Sequence, residues 1–264
     1  MQGRPFFIYG PMFANIISLQ ATACAVKHAA HRMSLPCFYE QTITPTGNFI
    51  LSEETSKHCI QVLRMHAGER LALTDGKGSL YTAAIAKEDK RNCLVAIQGV
   101  EHTPKPAKHI TIAISLLKNA NRFEWFLEKA VEIGVSEIIP LISARTERQH
   151  FRHDRMHNIV IAAMLQSNQA WLPVLHQPIL FDKILGIQHS QRLIAHCEEG
   201  EKQTVFEVQP NNDVIILIGP EGDFTNDEIN LATKQGYIQV TLGSTRLRTE
   251  TAGIVSATLL ANKA

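Results

Sequence analysis

Two stretches near the C-terminus decide the fold of this chain: VIILIGPEGDF at residues 214–224 and VTLGSTRLRTETA at residues 240–252. Each begins with an apolar segment, which is typical of a strand buried in a parallel sheet. Glycine follows each segment at once, so the backbone there can approach a ligand without a Cβ in the way. Because ligands of open parallel sheets bind beyond the carboxyl ends of the strands, the two loops predict a binding site.

A simpler interpretation of both loops is that they are tight turns, for which Gly-Pro and glycine alone are common. Neither loop matches G-x-x-x-x-G-K-[ST] or G-x-G-x-x-G, so a nucleotide-phosphate cradle is not supported. A turn alone does not explain Arg248 and Glu250, which place opposite charges between a buried strand and an Ala- and Leu-rich helix. Burying such a pair has a cost unless partners are supplied, and a polar reaction on a small ligand would use it.

Upstream of these loops, strand patterns alternate with helical patterns. Residues 110–117 form a nearly continuous apolar segment, and residues 121–133 then carry apolar side chains at helical spacing before Gly134. The alternation continues with strands at 137–141, 193–196, 214–218 and 240–242 and helices at 154–168, 225–236 and 251–261. Strands alternating with helices predict a parallel α/β sheet with helices on its faces.

The preceding region, residues 38–100, reads as short strands broken by turns. Strand candidates lie at 71–74 and 93–97, and Ser52 is placed to cap a short helix carrying Ile60, Leu63 and Arg64. Several short strands at close spacing suggest a small β-barrel.

A stiff polar linker, Pro104-Lys105-Pro106, separates the two patterns, since each proline fixes φ and disfavours helix before it. We therefore expect a barrel domain at 33–103 and an α/β domain at 104–264.

Composition excludes several classes of protein. The 264 residues are 45% hydrophobic and 19% charged, which is ordinary for a globular chain. The formal net charge of +1 means that any affinity for nucleic acid must come from local patches. The cysteines, which are odd in number and lack a C-x-x-C pair, indicate reduced thiols rather than disulfides or zinc. No stretch approaches the roughly 20 apolar residues that a membrane helix needs.

Residues 1–32 are rich in apolar and small residues and follow a signal-peptide pattern loosely, with Arg4 ahead of the apolar run. Pro11 and Asn15 interrupt that run. We favour an N-terminal extension that adds nothing to the core fold, and the signal peptide remains the alternative.

The two C-terminal loops resemble those of the RsmE family, the bacterial 16S ribosomal RNA uridine-N3 methyltransferases of the SPOUT class. Ile218 to Phe224 match the family pattern I-G-P-E-G-G-F at all but one position. The second pattern, L-G-x-R-I-L-R-T-E-T-A, is matched by Leu242, Gly243, Leu247, Arg248, Thr249, Glu250, Thr251 and Ala252. Weaker similarity extends upstream, so that the resemblance covers roughly residues 35–261.

Six positions depart from the family pattern. Asp223 stands where a second glycine is usual, Thr245 where arginine is usual, and Arg246 where a branched apolar residue is usual. The other three lie further upstream: Leu165 replaces an acidic residue, Gln169 an arginine, and Cys37 a common arginine.

The resemblance implies an N-terminal PUA-like barrel and a C-terminal domain with a deep trefoil knot, in a homodimer. We expect the protein to be cytoplasmic and to bind neither membrane nor metal. It also implies that S-adenosylmethionine binds in the knot. The residues that would line its pocket are Ile218, Gly219, Pro220, Glu221, Gly222, Leu242, Gly243, Leu247, Arg248, Thr249 and Ala252.

For catalysis, the resemblance implies methyl transfer to N3 of a uridine. Removing the N3 proton spreads negative charge onto the two carbonyl oxygens of the base, and a fixed cation there would lower the barrier. We hypothesise that Arg248 is that cation and that Glu250 orients it, with Glu221 as a further candidate for proton removal. The alternative is that Glu250 and Thr249 only cap the last helix.

Binding to 16S ribosomal RNA in the small subunit needs phosphate contacts. The candidates for these contacts are Arg64, Lys118, Arg122, Lys129, Arg145 and Arg148, with Arg152 and Arg155 close to the last two. For any single one of them a solvated helix face is the simpler interpretation. His150, His153 and His157 lie among them but lack H-E-x-x-H and a suitably spaced acidic ligand, so we expect no metal.

Two other functions remain open at this point. One is a SPOUT-class enzyme acting on transfer RNA or on a ribose 2′-hydroxyl, and the other is a non-catalytic RNA-binding assembly factor that kept the fold.

Overall fold

The computed structural model describes residues 35–147, 150–208 and 211–262. The extension predicted at residues 1–32 lies outside them. The chain divides into two units. The smaller comprises Thr44–Leu73, Tyr81–Val100 and the described residues up to Glu40, and the larger comprises Gln41–Ile43, Thr74–Leu80 and the chain from Glu101 onwards.

The smaller unit is built on a five-stranded sheet with the strand order β1-β3-β4-β5-β2. Its strands are β1 (Cys37–Tyr39), β2 (Gly47–Ile50), β3 (Arg70–Thr74), β4 (Ser79–Lys87) and β5 (Leu94–His102). The prediction of short strands broken by turns is confirmed, and the apolar side chains of Leu71, Leu73 and Val95 are fully buried in this unit.

A short helix, α1 (Glu53–Lys57), begins where the sequence predicts it, and the Ser52 hydroxyl accepts a hydrogen bond from the Thr55 N–H at 3.3 Å. The prediction that this helix carries Ile60, Leu63 and Arg64 is wrong, because Ile60 lies in the π-helical turn that follows the helix and the other two residues lie beyond that turn. After Lys57 the chain widens into a π-helical turn at His58–Val62, in which the Leu63 N–H donates to the His58 carbonyl at 3.0 Å. Arg64 then takes a left-handed conformation, with φ of 56°, which ends the turn.

The larger unit contains a parallel sheet with the order β11-β13-β10-β12-β6-β7-β8, and β9 also pairs with β7. Its strands are β6 (His109–Ser115), β7 (Glu137–Ile142), β8 (Val174–Leu175), β9 (Ile179–Leu180), β10 (Gln191–Ala195), β11 (Gln203–Thr204), β12 (Asp213–Ile218) and β13 (Ile238–Thr241). Every pairing in this sheet is parallel, which confirms the predicted α/β arrangement.

Four helices lie between these strands, α2 (Ala120–Ile133), α3 (His153–Gln166), α4 (Phe181–Ile184) and α5 (Asn226–Lys234), and a fifth, α6 (Thr249–Asn262), follows the last strand. Their ends follow local chemistry. Gly134 ends α2 with φ of 97°, and Thr225 and Glu228 form a reciprocal capping box at the start of α5, as the sequence predicts. The four-residue α4 was not predicted, and α6 begins two residues before the expected Thr251.

The last helix, α6, lies against β6 and α2. Gly253 makes this close approach possible, because a Cβ there would lie 2.6 Å from Phe126 Cε2 and 2.9 Å from Ile114 Cδ1. Both neighbouring side chains are fully buried and cannot move aside. None of the helices in the three described ranges is long and apolar enough to cross a membrane.

Candidate functional site

A cavity of about 690 Å³ opens beyond the carboxyl ends of β10, β12 and β13. This size lies within the usual range of small-molecule sites. Three segments line it: residues 195–197 at the end of β10, 218–221 at the end of β12, and 240–249 from the end of β13 to the start of α6. Lys202, Asp223 and Ala252 complete the lining. The cavity therefore lies where the two loops were predicted to form a site.

The loop after β12 folds back on itself at Asp223. This residue has φ of 63°, a left-handed conformation that costs a residue with a Cβ about 1–2 kcal/mol. Its carboxylate offsets that cost by accepting the N–H groups of Phe224 and Cys197, both at 2.7 Å. Hydrogen bonds to a charged acceptor contribute roughly 1.5 kcal/mol each before solvent screening.

The loop after β13 presents its backbone to the cavity at Gly243. There φ is 143°, and a Cβ would meet no atom of the described, non-adjacent residues within 4 Å. The Thr241 hydroxyl donates to the Gly243 carbonyl at 3.0 Å and so holds the turn. Further along, the Arg248 carbonyl accepts the Ala252 N–H at 2.7 Å, which starts α6 over the cavity.

His196 forms part of the cavity wall and belongs to a hydrogen-bond chain that fixes its tautomer. The Thr233 hydroxyl donates to the Ile229 carbonyl at 2.8 Å and accepts the Gln239 amide N–H at 3.0 Å. Gln239 therefore turns its carbonyl oxygen to His196 Nε2, 3.0 Å away, so that Nε2 carries the proton.

The other ring nitrogen of His196, Nδ1, is left as a bare acceptor, and it is buried without a hydrogen-bond partner among the residues that the structure describes. Burial lowers the pKa of this imidazole, and the positive charge of Lys202 adds to the effect. His196 is therefore a neutral, polar group in the wall of the cavity.

Glu250 lies in the first turn of α6, where a negative charge is favourable, and its side chain is only 9% exposed. Among the described residues its ion-pair partner is Arg122 and not Arg248, with 3.7 Å between Arg122 Nε and Glu250 Oε1. The geometry therefore does not support the hypothesis that Glu250 orients Arg248. Within the described ranges Glu250 Oε2 is buried without a hydrogen-bond partner, so one of the two oxygens of this carboxylate is unsatisfied there.

Glu221 also has a structural contact. Its Oε1 accepts the backbone N–H of Lys118 at 3.2 Å, which links the loop after β12 to the segment between β6 and α2. Lys118 Nζ in turn pairs with Glu147 at 2.8 Å, and this contact raises the pKa of Lys118.

The structure brings together ten of the eleven residues predicted to bind the cofactor: Ile218, Gly219, Pro220, Glu221, Leu242, Gly243, Leu247, Arg248, Thr249 and Ala252. Gly222 is the exception, since it does not line the cavity and its carbonyl instead accepts Arg145 Nη1 at 2.7 Å.

The wall residues not predicted are mainly Ala195, His196, Cys197 and Lys202, together with Asp223 and the loop residues Ser244, Thr245 and Arg246. The strand-end rule, applied to β10 as well as to β12 and β13, would have found the first three.

The basic residues predicted to contact RNA are already engaged with neighbours in several cases. Lys129 pairs with Glu132 at 2.7 Å, and Arg155 binds both oxygens of Glu124, at 2.7 and 2.9 Å. Arg64 belongs to the smaller unit, and Arg148 lies outside the described residues.

No group of three or more His, Cys, Asp or Glu side chains within the described ranges is arranged to hold a metal ion. His153 Nε2 lies 2.9 Å from the Leu175 carbonyl, and its ring stacks on His157.

Two family models match the chain. One, described as an RNA methyltransferase domain, covers residues 103–261, and the other, described as an RNA methyltransferase PUA domain, covers residues 51–98. A Mesomycoplasma hyopneumoniae protein named ribosomal RNA small subunit methyltransferase E is 31% identical over 163 residues, which is 60% of this chain and 71% of that protein.

Solved structures of rRNA methyltransferases are also similar to this chain. A probable rRNA-methyltransferase from Porphyromonas gingivalis matches with a TM-score of 0.79 and 41% identity, over 84% of this chain and 95% of that one. A ribosomal RNA small subunit methyltransferase E from Neisseria gonorrhoeae, bound to S-adenosyl methionine, matches with a TM-score of 0.77 and 29% identity, again over 84% and 95%.

Proposed function

Since this chain belongs to the RNA methyltransferase family, and within it to the ribosomal RNA small subunit methyltransferase E (RsmE) family, we propose that it methylates N3 of a uridine in 16S ribosomal RNA with S-adenosylmethionine as the donor. The observation that carries this proposal is the cavity beyond β10, β12 and β13, which the start of α6 borders.

The cavity suits S-adenosylmethionine in its size and its chemistry. Backbone of Gly219 and Gly243 lines the cavity together with the apolar side chains of Ile218, Leu242 and Leu247. His196 adds a buried acceptor that has no hydrogen-bond partner in the described part of the chain. This mixed lining, apolar with a few polar groups, is what a nucleoside with an amino-acid tail requires. Pro220, Glu221, Arg248, Thr249 and Ala252 would complete its contacts.

When bound, S-adenosylmethionine supplies a methyl group that is already activated by its sulfonium centre. The protein's task is to position the uracil ring against that group and to exclude water. Arg248 lies on the cavity lining, and its guanidinium is suited to stabilise the charge that the uracil oxygens acquire as N3 loses its proton. Glu221, on the same lining, remains the candidate for accepting that proton.

Glu250 has a different role in this proposal. Its ion pair with Arg122 fixes α2 to the start of α6, so that Arg122 is held close to the residues that precede α6. The unpartnered Oε2 retains capacity for one more donor, and we assign that capacity to the substrate-bound state.

We assign RNA binding to both parts of the chain. We further propose a PUA-like barrel at residues 33–103 and a SPOUT domain at residues 104–264, with a trefoil knot formed where α6 threads through a loop. Two copies of the chain would form a cytoplasmic homodimer that acts on the small ribosomal subunit. The PUA family model at residues 51–98 supports the barrel assignment. Arg64, Lys118, Arg122, Lys129, Arg145 and Arg148 are the proposed phosphate contacts.

Methyl transfer to isolated ribosomal subunits tests the function. Small subunits from a strain that lacks the enzyme are incubated with the protein and methyl-labelled S-adenosylmethionine, and the modified nucleoside is then identified by mass spectrometry. We expect 3-methyluridine in 16S ribosomal RNA. Label in transfer RNA or on a ribose 2′-hydroxyl would point to another SPOUT activity, and RNA binding without label would point to an assembly factor.

A further inference from the structure

The parallel pairing of β10 with β12 ends at the pair Ala195–Ile218, and the cavity opens beyond it. Past that pair the ladder between β10 and β12 has no further registered pair among the described residues, and the cavity is lined by the segments that follow, 195–197 and 218–221. The side chain of Asp223 crosses the gap between these two segments, because its Oδ2 accepts the Cys197 N–H at 2.7 Å. We propose that Asp223 is a positioning residue for the methyl donor, one that holds the end of β10 against the loop after β12. This inference rests on the proposed function.

Asp223 is anchored on its own side of the gap as well. Oδ1 accepts the Phe224 N–H at 2.7 Å and packs so tightly on the loop that a Cβ at Gly219 would lie 3.2 Å from it. Phe224 is itself fully buried in the core of the larger unit. The carboxylate thus links a buried residue of the core to the end of β10. Because the core side of this link is rigid, the hydrogen bond to Cys197 can set the distance between the end of β10 and the loop after β12.

The segment that Asp223 holds is the wall that carries His196. The imidazole is fixed through Gln239, and the His196 carbonyl accepts Lys202 Nζ at 3.1 Å. With the Cys197 N–H bound to Asp223, the wall is fixed on both sides of His196 before any ligand enters. A pre-ordered wall strengthens binding because less conformational freedom is lost when the ligand arrives.

The conformation of Asp223 indicates why an acidic residue stands here. Only glycine, asparagine and aspartate adopt the left-handed region readily, and φ is 63°. Glycine would leave both N–H groups without this acceptor, and asparagine would offer one acceptor and one donor. Aspartate alone provides two acceptors to two N–H donors.

The test compares three variants of the full-length protein. Asp223→Gly keeps the backbone conformation and removes the bridge, whereas Asp223→Asn keeps the conformation and one acceptor. Asn168→Gly is the matched control, since Asn168 is an exposed residue with φ of 54° in the turn after α3 and away from the cavity lining. Affinities for S-adenosylmethionine and S-adenosylhomocysteine are measured by calorimetry, with thermal unfolding in parallel.

We expect Asp223→Gly to weaken the binding of both compounds by about tenfold, which corresponds to about 1.4 kcal/mol. Asp223→Asn should bind at least roughly threefold more tightly than Asp223→Gly, and Asn168→Gly should bind like the wild type. In methyl-transfer assays KM for S-adenosylmethionine should rise in Asp223→Gly with kcat nearly unchanged, because the wall acts on binding rather than on the transition state.

Wild-type affinity in Asp223→Gly would overturn the inference and leave the proposed function intact. So would an equal loss of affinity in Asn168→Gly, or an Asp223→Asn variant that binds no better than Asp223→Gly. Failure of the wild-type protein to bind either compound would instead overturn the proposed function.

Discussion

Replacing Gly253 by alanine should destabilise the larger unit, although alanine is the better helix former. In a helix interior alanine is favoured over glycine by about 0.8–1 kcal/mol. Against this, the new Cβ would lie 2.6 Å from Phe126 Cε2 and 2.9 Å from Ile114 Cδ1, and both of those side chains are fully buried. Overpacking of this kind costs about 1–3 kcal/mol, and the short contact to a fixed ring favours the upper end.

The net loss for Gly253→Ala is then roughly 1–2 kcal/mol, or a fall in Tm of about 2–8 °C for a domain of this size. Thermal unfolding followed by circular dichroism measures it. Because Ala252 lines the cavity, the displacement of α6 should also weaken binding of S-adenosylmethionine.

The matched control for this substitution is Gly186→Ala, in the same unit. A Cβ there would meet only the Lys183 carbonyl, at an ordinary 3.5 Å, so Tm should stay the same or rise slightly. If Gly253→Ala unfolded at or above the wild-type temperature, the close approach of α6 to α2 and β6 would be refuted.

Four further substitutions probe the chemistry, the RNA contacts and the titration of His196. Arg248→Ala should lower the single-turnover rate of methyl transfer by about a hundredfold or more, because it removes the cation beside the developing negative charge; a near-normal rate would exclude Arg248 from the mechanism. Arg64→Ala should lower the slope of log affinity for RNA against log salt by about 1 in filter-binding assays. Arg155→Ala should leave that slope unchanged, because the Arg155 guanidinium already donates hydrogen bonds to both oxygens of Glu124. Equal slopes for Arg64→Ala and Arg155→Ala would argue against an RNA contact at Arg64. Burial lowers the pKa of His196, so below about pH 6.5 the unfolded chain binds more protons at this residue than the folded chain does. The contribution of His196 to the free energy of unfolding is therefore complete above that pH. It is lost as pH falls toward the lowered pKa. His196→Gln should therefore show a shallower loss of stability than the wild type in urea titrations between about pH 7 and pH 5, and an unaltered slope would show that this imidazole does not titrate as described.

Much of the α/β architecture could be predicted because its signals are local. The apolar segments of β6 and β12, the glycine that ends α2 and the capping box of α5 each specify an element from a few neighbouring residues. The two glycine loops also predicted the place of the cavity, since parallel strands direct their carboxyl ends to one edge of a sheet. The turn that follows α1 escaped prediction, because its left-handed residue is Arg64 rather than a glycine.

The rest of the site depends on contacts between residues that lie far apart in the sequence. Nothing near Glu250 indicates that its partner is Arg122 on α2, and the charge pattern alone suggested Arg248 instead. The bridge from Asp223 to Cys197 and the chain from Thr233 through Gln239 to His196 likewise join separate strand ends. Such contacts are fixed by the order of strands in the sheet, which local patterns do not encode.

The most direct test of the central claim is a crystal structure of the protein grown with S-adenosylmethionine. We predict ligand density in the cavity between the loops after β12 and β13, bordered by His196 on one side and by the first turn of α6 on the other. Density for the ligand at any other place, or two loops that close on each other and leave no space between them, would contradict the account.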